Sequence, residues 1–106
     1  MNVIGIDIGG TKTLAALVRV EDGKILHRLL KPTNTSSPEL FVQGLIEIIR
    51  DLIALDISQK PVAIGIGTAG HVEPRFGNVS SMNLGVSNLP LRTLISEAFG
   101  LPVFID

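Results

Sequence analysis

Ile4-Gly5-Ile6-Asp7-Ile8-Gly9-Gly10-Thr11-Lys12-Thr13 is a short apolar run carrying one acid, followed by two glycines, two threonines and a lysine. A second apolar run, Leu14 to Val20, comes next. A carboxylate inside an apolar run is expensive to bury without a partner, so Asp7 invites a functional reading. Adjacent glycines let the backbone turn tightly and bring its N–H groups close to a ligand. The combination suits a β-hairpin turn that cradles nucleotide phosphates, with Asp7 near a metal or its waters. An ordinary Gly-Gly hairpin with a structural aspartate would use the same residues. The P-loop is excluded, because it needs Lys directly after its second Gly and a helix next. Here Thr11 intervenes, and the second apolar run ends at the turn signal Glu21-Asp22-Gly23.

Outward from this hairpin, Asn2 to Ile8 reads as a buried strand and Thr13 to Val20 as its partner. A third strand is expected over Lys24 to Leu30, with Ile25, His27 and Leu29 on one face. Pro32 to Ser37 is a polar loop. Ser36-Ser37-Pro38-Glu39 opens a helix that runs to about Leu55, with Phe41, Leu45, Ile48, Ile49 and Leu52 as its apolar stripe. Gly44 weakens this helix by roughly 1 kcal/mol relative to Ala and suggests close packing. Pro61 to Thr68 is apolar enough for a central strand. Ala69 to Gly77 is expected as a loop, Asn78 to Met82 as a short extended segment, and Asn83 to Leu89 as irregular. A second helix spans about Pro90 to Phe99, Gly100 ends it, and Val103-Phe104-Ile105 begins a last strand.

The 106 residues carry nine basic and ten acidic side chains, which creates no field for nucleic acid or an anionic membrane. There is no cysteine, so disulfides and thiolate metal sites are excluded. Apolar residues make up 45% and aromatics 4%, a balance that favours a buried sheet covered by helices. No apolar run reaches the length of a membrane span and no signal peptide precedes the first strand, so a soluble cytoplasmic protein is expected.

Gly65-Ile66-Gly67-Thr68-Ala69-Gly70 matches the dinucleotide fingerprint G-x-G-x-x-G. That fingerprint requires a helix starting within it and an acid about 20 residues later on a second strand. His71 to Gly77 cannot hold a long helix and Leu84 to Leu91 contains no acid, so the match is a decoy.

Asp7-Ile8-Gly9-Gly10-Thr11-Lys12 resembles the first phosphate loop of the ROK family, which holds bacterial sugar kinases and sugar-responsive repressors. Gly65 to Gly70, Val72, Pro74, Asn83-Leu84 and Pro90 to Ile105 resemble later parts of the same family, so the likeness spans nearly the whole chain. The resemblance implies a ribonuclease-H-like (actin-like ATPase) α/β domain in the order β-β-β-α-β-α-β, a mixed sheet with helices on its faces, truncated. It implies that residues 1–106 are the N-terminal lobe of a two-lobe, ATP-dependent hexose kinase of the glucokinase type. Asp7, Gly9, Gly10, Thr11 and Lys12 would then serve ATP, with Asp7 holding Mg through water. Gly70 and Asn83 would line the sugar pocket, where an amide side chain both donates to and accepts from hydroxyls.

No catalytic residue is expected within the chain. The family's general base, an Asp in Asn-Asp, would come just past Asp106, and zinc ligands would lie in the missing half. His27 is expected to be structural, His71 an exposed loop residue, and Arg75 and Arg92 solvated charges. The partner is a small-molecule sugar. A repressor of the same family is the alternative, although Met1-Asn2 leads straight into the first strand with no helix-turn-helix segment before it. A non-catalytic binding module is a third reading. A homo-oligomer is expected through apolar surface around Leu101 to Ile105.

Overall fold

The computed structural model describes all residues, Met1–Asp106. A five-stranded mixed sheet has the spatial order β3-β2-β1-β4-β8, built from β1 (Asn2–Ile8), β2 (Lys12–Arg19), β3 (Lys24–Pro32), β4 (Pro61–Thr68) and β8 (Val103–Ile105). β1, β2 and β3 form an antiparallel meander, while β4 and β8 add parallel to β1. The parallel neighbours need crossovers, which are supplied by α1 (Pro38–Ala54) before β4 and α2 (Leu91–Phe99) before β8.

Alternation decides the faces. Ile4, Ile6 and Ile8 of β1 are buried, together with Ala15, Leu17, Ile64, Ile66 and Val103 from their neighbours. They join Phe41, Leu45, Ile48, Ile49 and Leu52 of α1, and Leu91 and Ile95 of α2, in one core. Both helices therefore share one face of the sheet. The opposite face carries Gly5, Asp7, Leu14 and Phe104, all exposed, with Phe104 at 66%. Ser37 starts α1 by accepting a hydrogen bond from the Leu40 N–H at 3.1 Å. Gly100, left-handed at φ 65°, ends α2 by donating its N–H to the Ser96 carbonyl.

Between β4 and α2 the chain builds a second, three-stranded antiparallel sheet of β5 (His71–Glu73), β6 (Asn78–Ser81) and β7 (Val86–Leu89). The expected order thus stands with this small sheet inserted, where the sequence suggested a loop over Ala69 to Gly77 and irregular chain over Asn83 to Leu89. The Glu73 carboxylate folds the β5–β6 connection by accepting from the Arg75 and Phe76 N–H groups. Arg92 is not merely a solvated charge. Its guanidinium donates to the Arg75 carbonyl at 2.6 Å and ties this turn to α2.

The third strand departs from its expected face pattern. Leu17 pairs with His27 but Val18 pairs with Ile25, so Leu26 is an extra residue at a bulge. His27 and Leu29 stay on the helix-covered side, whereas Ile25 moves to the open side and is 45% exposed.

Candidate functional site

The candidate site lies at the carboxyl ends of the three parallel strands, where open α/β sheets commonly bind ligands. Asp7 pairs with Leu14 on one side and Gly67 on the other, and Ile8 pairs with Thr68. The Thr68 N–H donates to the Asp106 carbonyl at 3.1 Å, and the Asp106 N–H donates to the Ile66 carbonyl at 2.9 Å. Asp7, Thr68 and Asp106 thus stand at one end of adjacent strands. Asp7 is on the open face, exposed, and in no ion pair.

The turn after β1 is tight. The Gly9 N–H donates to the Lys12 carbonyl at 2.9 Å. A Cβ on Gly9 would lie 2.9 Å from the Lys12 carbonyl oxygen, so the backbone approach itself demands glycine there. The N–H groups of Gly10 and Thr11 donate to no backbone or side-chain acceptor in the chain. Two successive unpaired amides at one exposed turn are available to an anion. Lys12 adds a positive charge at the first residue of β2, is exposed, and has no acidic partner. The chain continues from Lys12 as a strand rather than a helix, which agrees with the exclusion of a P-loop.

Asn83 is brought to this turn by the second sheet. A Cβ added to Gly10 would rest 3.7 Å from the Asn83 Cβ, so Asn83 stands beside the turn with about a methyl group's room between them. The connection holding Asn83 is anchored from below, since the Leu84 N–H donates to the Ser81 Oγ and Leu84 is 1% exposed. The residues expected to serve phosphate and those expected to serve sugar are therefore adjacent at Gly10 and Asn83.

Gly70 plays a different local part. It sits at the β4–β5 corner with φ +99°, and a Cβ there would lie 2.5 Å from the Ser80 carbonyl oxygen and 2.7 Å from the Ser81 Cβ. Its immediate demand is close backbone packing against β6. The G-x-G-x-x-G match runs from β4 straight into β5, with no helix, and is a decoy as expected. His71 is exposed, but in β5 opposite Ser80 rather than in a loop.

No group of three or more His, Cys, Asp or Glu residues converges to hold a metal. An exposed Asp7 carboxylate one strand end from a turn with unpaired amides fits magnesium, which commonly takes one or two protein carboxylates and completes its shell with waters and phosphate oxygens. The perturbed carboxylates lie at the far end of the sheet. Asp22 is held down to about 2, chiefly by its hydrogen bond from Arg19. Glu21 is lowered by its bond from the N-terminal ammonium.

One residue that motif reading missed is Thr33, just past β3. Its hydroxyl donates to the Gly9 carbonyl at 2.8 Å, and its N–H donates to the Thr11 carbonyl at 2.8 Å. A threonine in a polar loop carries no local signal of such a role, which arises only from the pairing of Lys12 with Pro32.

A family model described as the ROK family matches residues 3–106. A glucokinase of Streptomyces coelicolor is 35% identical over 104 residues, covering 97% of this chain and 31% of the relative. A xylose repressor of Caldicellulosiruptor bescii is 36% identical over 71 residues, covering 60% of this chain and 18% of the relative. Among solved structures, a ROK family glucokinase from Streptomyces griseus in complex with glucose and AMPPNP superposes with a TM-score of 0.87. The two are 30% identical, over 100% of this chain and 33% of that one. The chain spans about a third of the length of the glucokinases it matches.

Proposed function

We propose, since this chain belongs to the ROK family, that it forms the ATP-phosphate- and sugar-binding lobe of an ATP-dependent hexose kinase. The observation that supports this reading is the nearness of Asn83 to the turn at Gly10, whose amide is unpaired. Phosphoryl transfer depends mainly on positioning and on charge placed against the moving group. Acceptor and donor must therefore meet at one place, and the nearness of Asn83 to the Gly10 turn supports that reading.

The actin-like fold is shared with the Streptomyces griseus glucokinase, whose complex contains glucose and AMPPNP. Carried to this chain, the Gly10 and Thr11 amides take phosphate oxygens and Lys12 offsets their charge. Asp7 takes magnesium through water. ATP with magnesium, when bound, supplies the transferable phosphoryl group and a divalent charge against its oxygens. The Asn83 amide orients a sugar hydroxyl by donating and accepting at once. Gly70 acts on the sugar side by seating β5 against β6. No residue among 1–106 is given the role of general base, and residues 1–106 constitute one lobe of a two-lobe enzyme.

The test is Asp7→Ala in the intact protein, assayed with ATP and glucose or related hexoses. Losing the carboxylate that holds the metal should lower kcat/KM by about 100-fold or more. Undiminished transfer would remove Asp7 from the mechanism. A second reading, the sugar-sensing lobe of a repressor, is favoured by the xylose repressor match. Sugar-dependent release of the intact protein from operator DNA, without phosphoryl transfer, would establish that reading instead.

A further inference from the structure

We propose that Thr33 is a positioning residue that sets the direction of the Gly10 amide in the proposed phosphate turn, acting through the backbone of Gly9 to Lys12. A single proton decides how its hydroxyl bonds. Thr33 Oγ1 lies 2.8 Å from the Gly9 carbonyl oxygen and 2.8 Å from Thr13 Oγ1. A hydroxyl has one hydrogen to donate, and a carbonyl can only accept. The Thr33 proton therefore goes to Gly9, and the Thr13 hydroxyl must donate to Thr33. Thr13 is 4% exposed, so water does not readily compete for that bond.

Peptide geometry carries this hold to the amides. In a trans peptide the C=O and the next N–H point in opposite directions. The Gly9 carbonyl shares its peptide with the Gly10 N–H, and the Thr11 carbonyl shares its own with the Lys12 N–H. Thr33 holds both carbonyls, one through its hydroxyl and one through its N–H. Fixing these oxygens toward Thr33 turns the Gly10 and Lys12 N–H groups away from it. A Gly-Gly turn without such restraint samples many orientations, and each misaimed amide weakens a preorganised anion site.

Nucleotide phosphate as the ligand rests on the kinase reading, whereas ordering of the turn does not. The experiment therefore has two arms in the intact protein. Thr33→Val keeps the β-branched shape and the backbone N–H but removes the hydroxyl, and Thr33→Ser restores it. In the first arm, amide NMR relaxation of Gly10 and Lys12 is measured without ligand. Thr33→Val should loosen the Gly10 amide, whose peptide carbonyl loses its donor, and leave the Lys12 amide less affected, because the Thr33 N–H still holds the Thr11 carbonyl. Thr33→Ser should leave both as in the parent. In the second arm, KM for ATP should rise about 10-fold in Thr33→Val, by analogy with other partners that orient a ligand group. KM for the sugar should change less than twofold, and Thr33→Ser should stay within threefold of the parent on both. A thermal melt checks that each variant folds. A Gly10 amide as rigid in Thr33→Val as in the parent, or equal rises in both KM values, would overturn the proposal. A parent protein that transfers no phosphate refutes the kinase reading alone, and the relaxation arm still decides the role of Thr33.

Discussion

Gly70→Ala separates a glycine needed for backbone packing from one that merely borders a pocket. The native φ of +99° is a region that L-residues with a Cβ rarely adopt. Left-handed backbone costs about 1–2 kcal/mol for such a residue. The added methyl would also lie 2.5 Å from the Ser80 carbonyl oxygen, 2.7 Å from Ser81 Cβ and 3.1 Å from Ser81 Cα. These contacts are mostly with backbone, so no flexible side-chain tip can swing aside. Overpacking of this kind costs about 1–3 kcal/mol. One outward shift of β5 relieves both penalties together, so a combined loss of about 2–4 kcal/mol is expected rather than their sum. With a urea m-value of about 1.5 kcal/mol/M, a loss of 3 kcal/mol lowers the unfolding midpoint by about 2 M. The displacement reaches the site as well, because the Leu84 N–H donates to the Ser81 Oγ in the segment that contains Asn83. Sugar KM should rise while KM for ATP holds. An unchanged midpoint in Gly70→Ala would mean that β5 and β6 do not meet closely at this corner, and the packing role of Gly70 would fall with it.

Gly44→Ala should act in the opposite sense. No heavy atom lies within 4 Å of a Cβ at this mid-helix position, so alanine should stabilise α1 by about 0.5–1 kcal/mol in the same urea titration. The carboxyl of Asp22 should titrate near 2 rather than at the ordinary 3.8, held down first by the Arg19 side chain and then by the Lys24 N–H. A depressed folded value stabilises the native state above 3.8 and loses that contribution as pH falls through about 2. NMR titration of Asp22 reads this directly, and Arg19→Ala should move the midpoint back up. Phe104, 66% exposed on the open face of the sheet, should drive self-association of the 106-residue chain through the Leu101 to Ile105 region. Sedimentation across a concentration series should show a dimer or larger species that Phe104→Asp reduces, and a monomer at every concentration would count against it.

Periodicity made the main sheet and both helices legible. The α1 stripe of Phe41, Leu45, Ile48, Ile49 and Leu52 is the buried set of that helix, and Ser37 and Gly100 mark helix ends where capping chemistry placed them. The second sheet was not legible, because its strands have only three or four residues and are separated by turn-forming chain. Ile25 changed faces because one extra residue at a bulge reverses the alternation, and nothing in the local pattern marks that residue. At the site, Asp7 and the Gly-Gly turn announce themselves through local chemistry. The nearness of Asn83 to Gly10 and the hold of Thr33 on Gly9 join residues far apart in sequence, and no short motif encodes either.

The pairing of β1 has a kinetic consequence. Ile4 meets Leu17 across a tight hairpin on one side, but meets Ile64 across a long crossover on the other. Closing a loop of about 60 residues rather than about 13 costs about 1.4 kcal/mol more in chain entropy. The β1–β3 meander should therefore form first, with β4 and β8 adding later. Substitutions at Ala15 should slow folding, whereas those at Val103 should mainly speed unfolding. On a ribosome the Gly9–Lys12 turn would already be folded while the chain that carries Asn83 was still being made, so Asn83 would join a turn that is already in place.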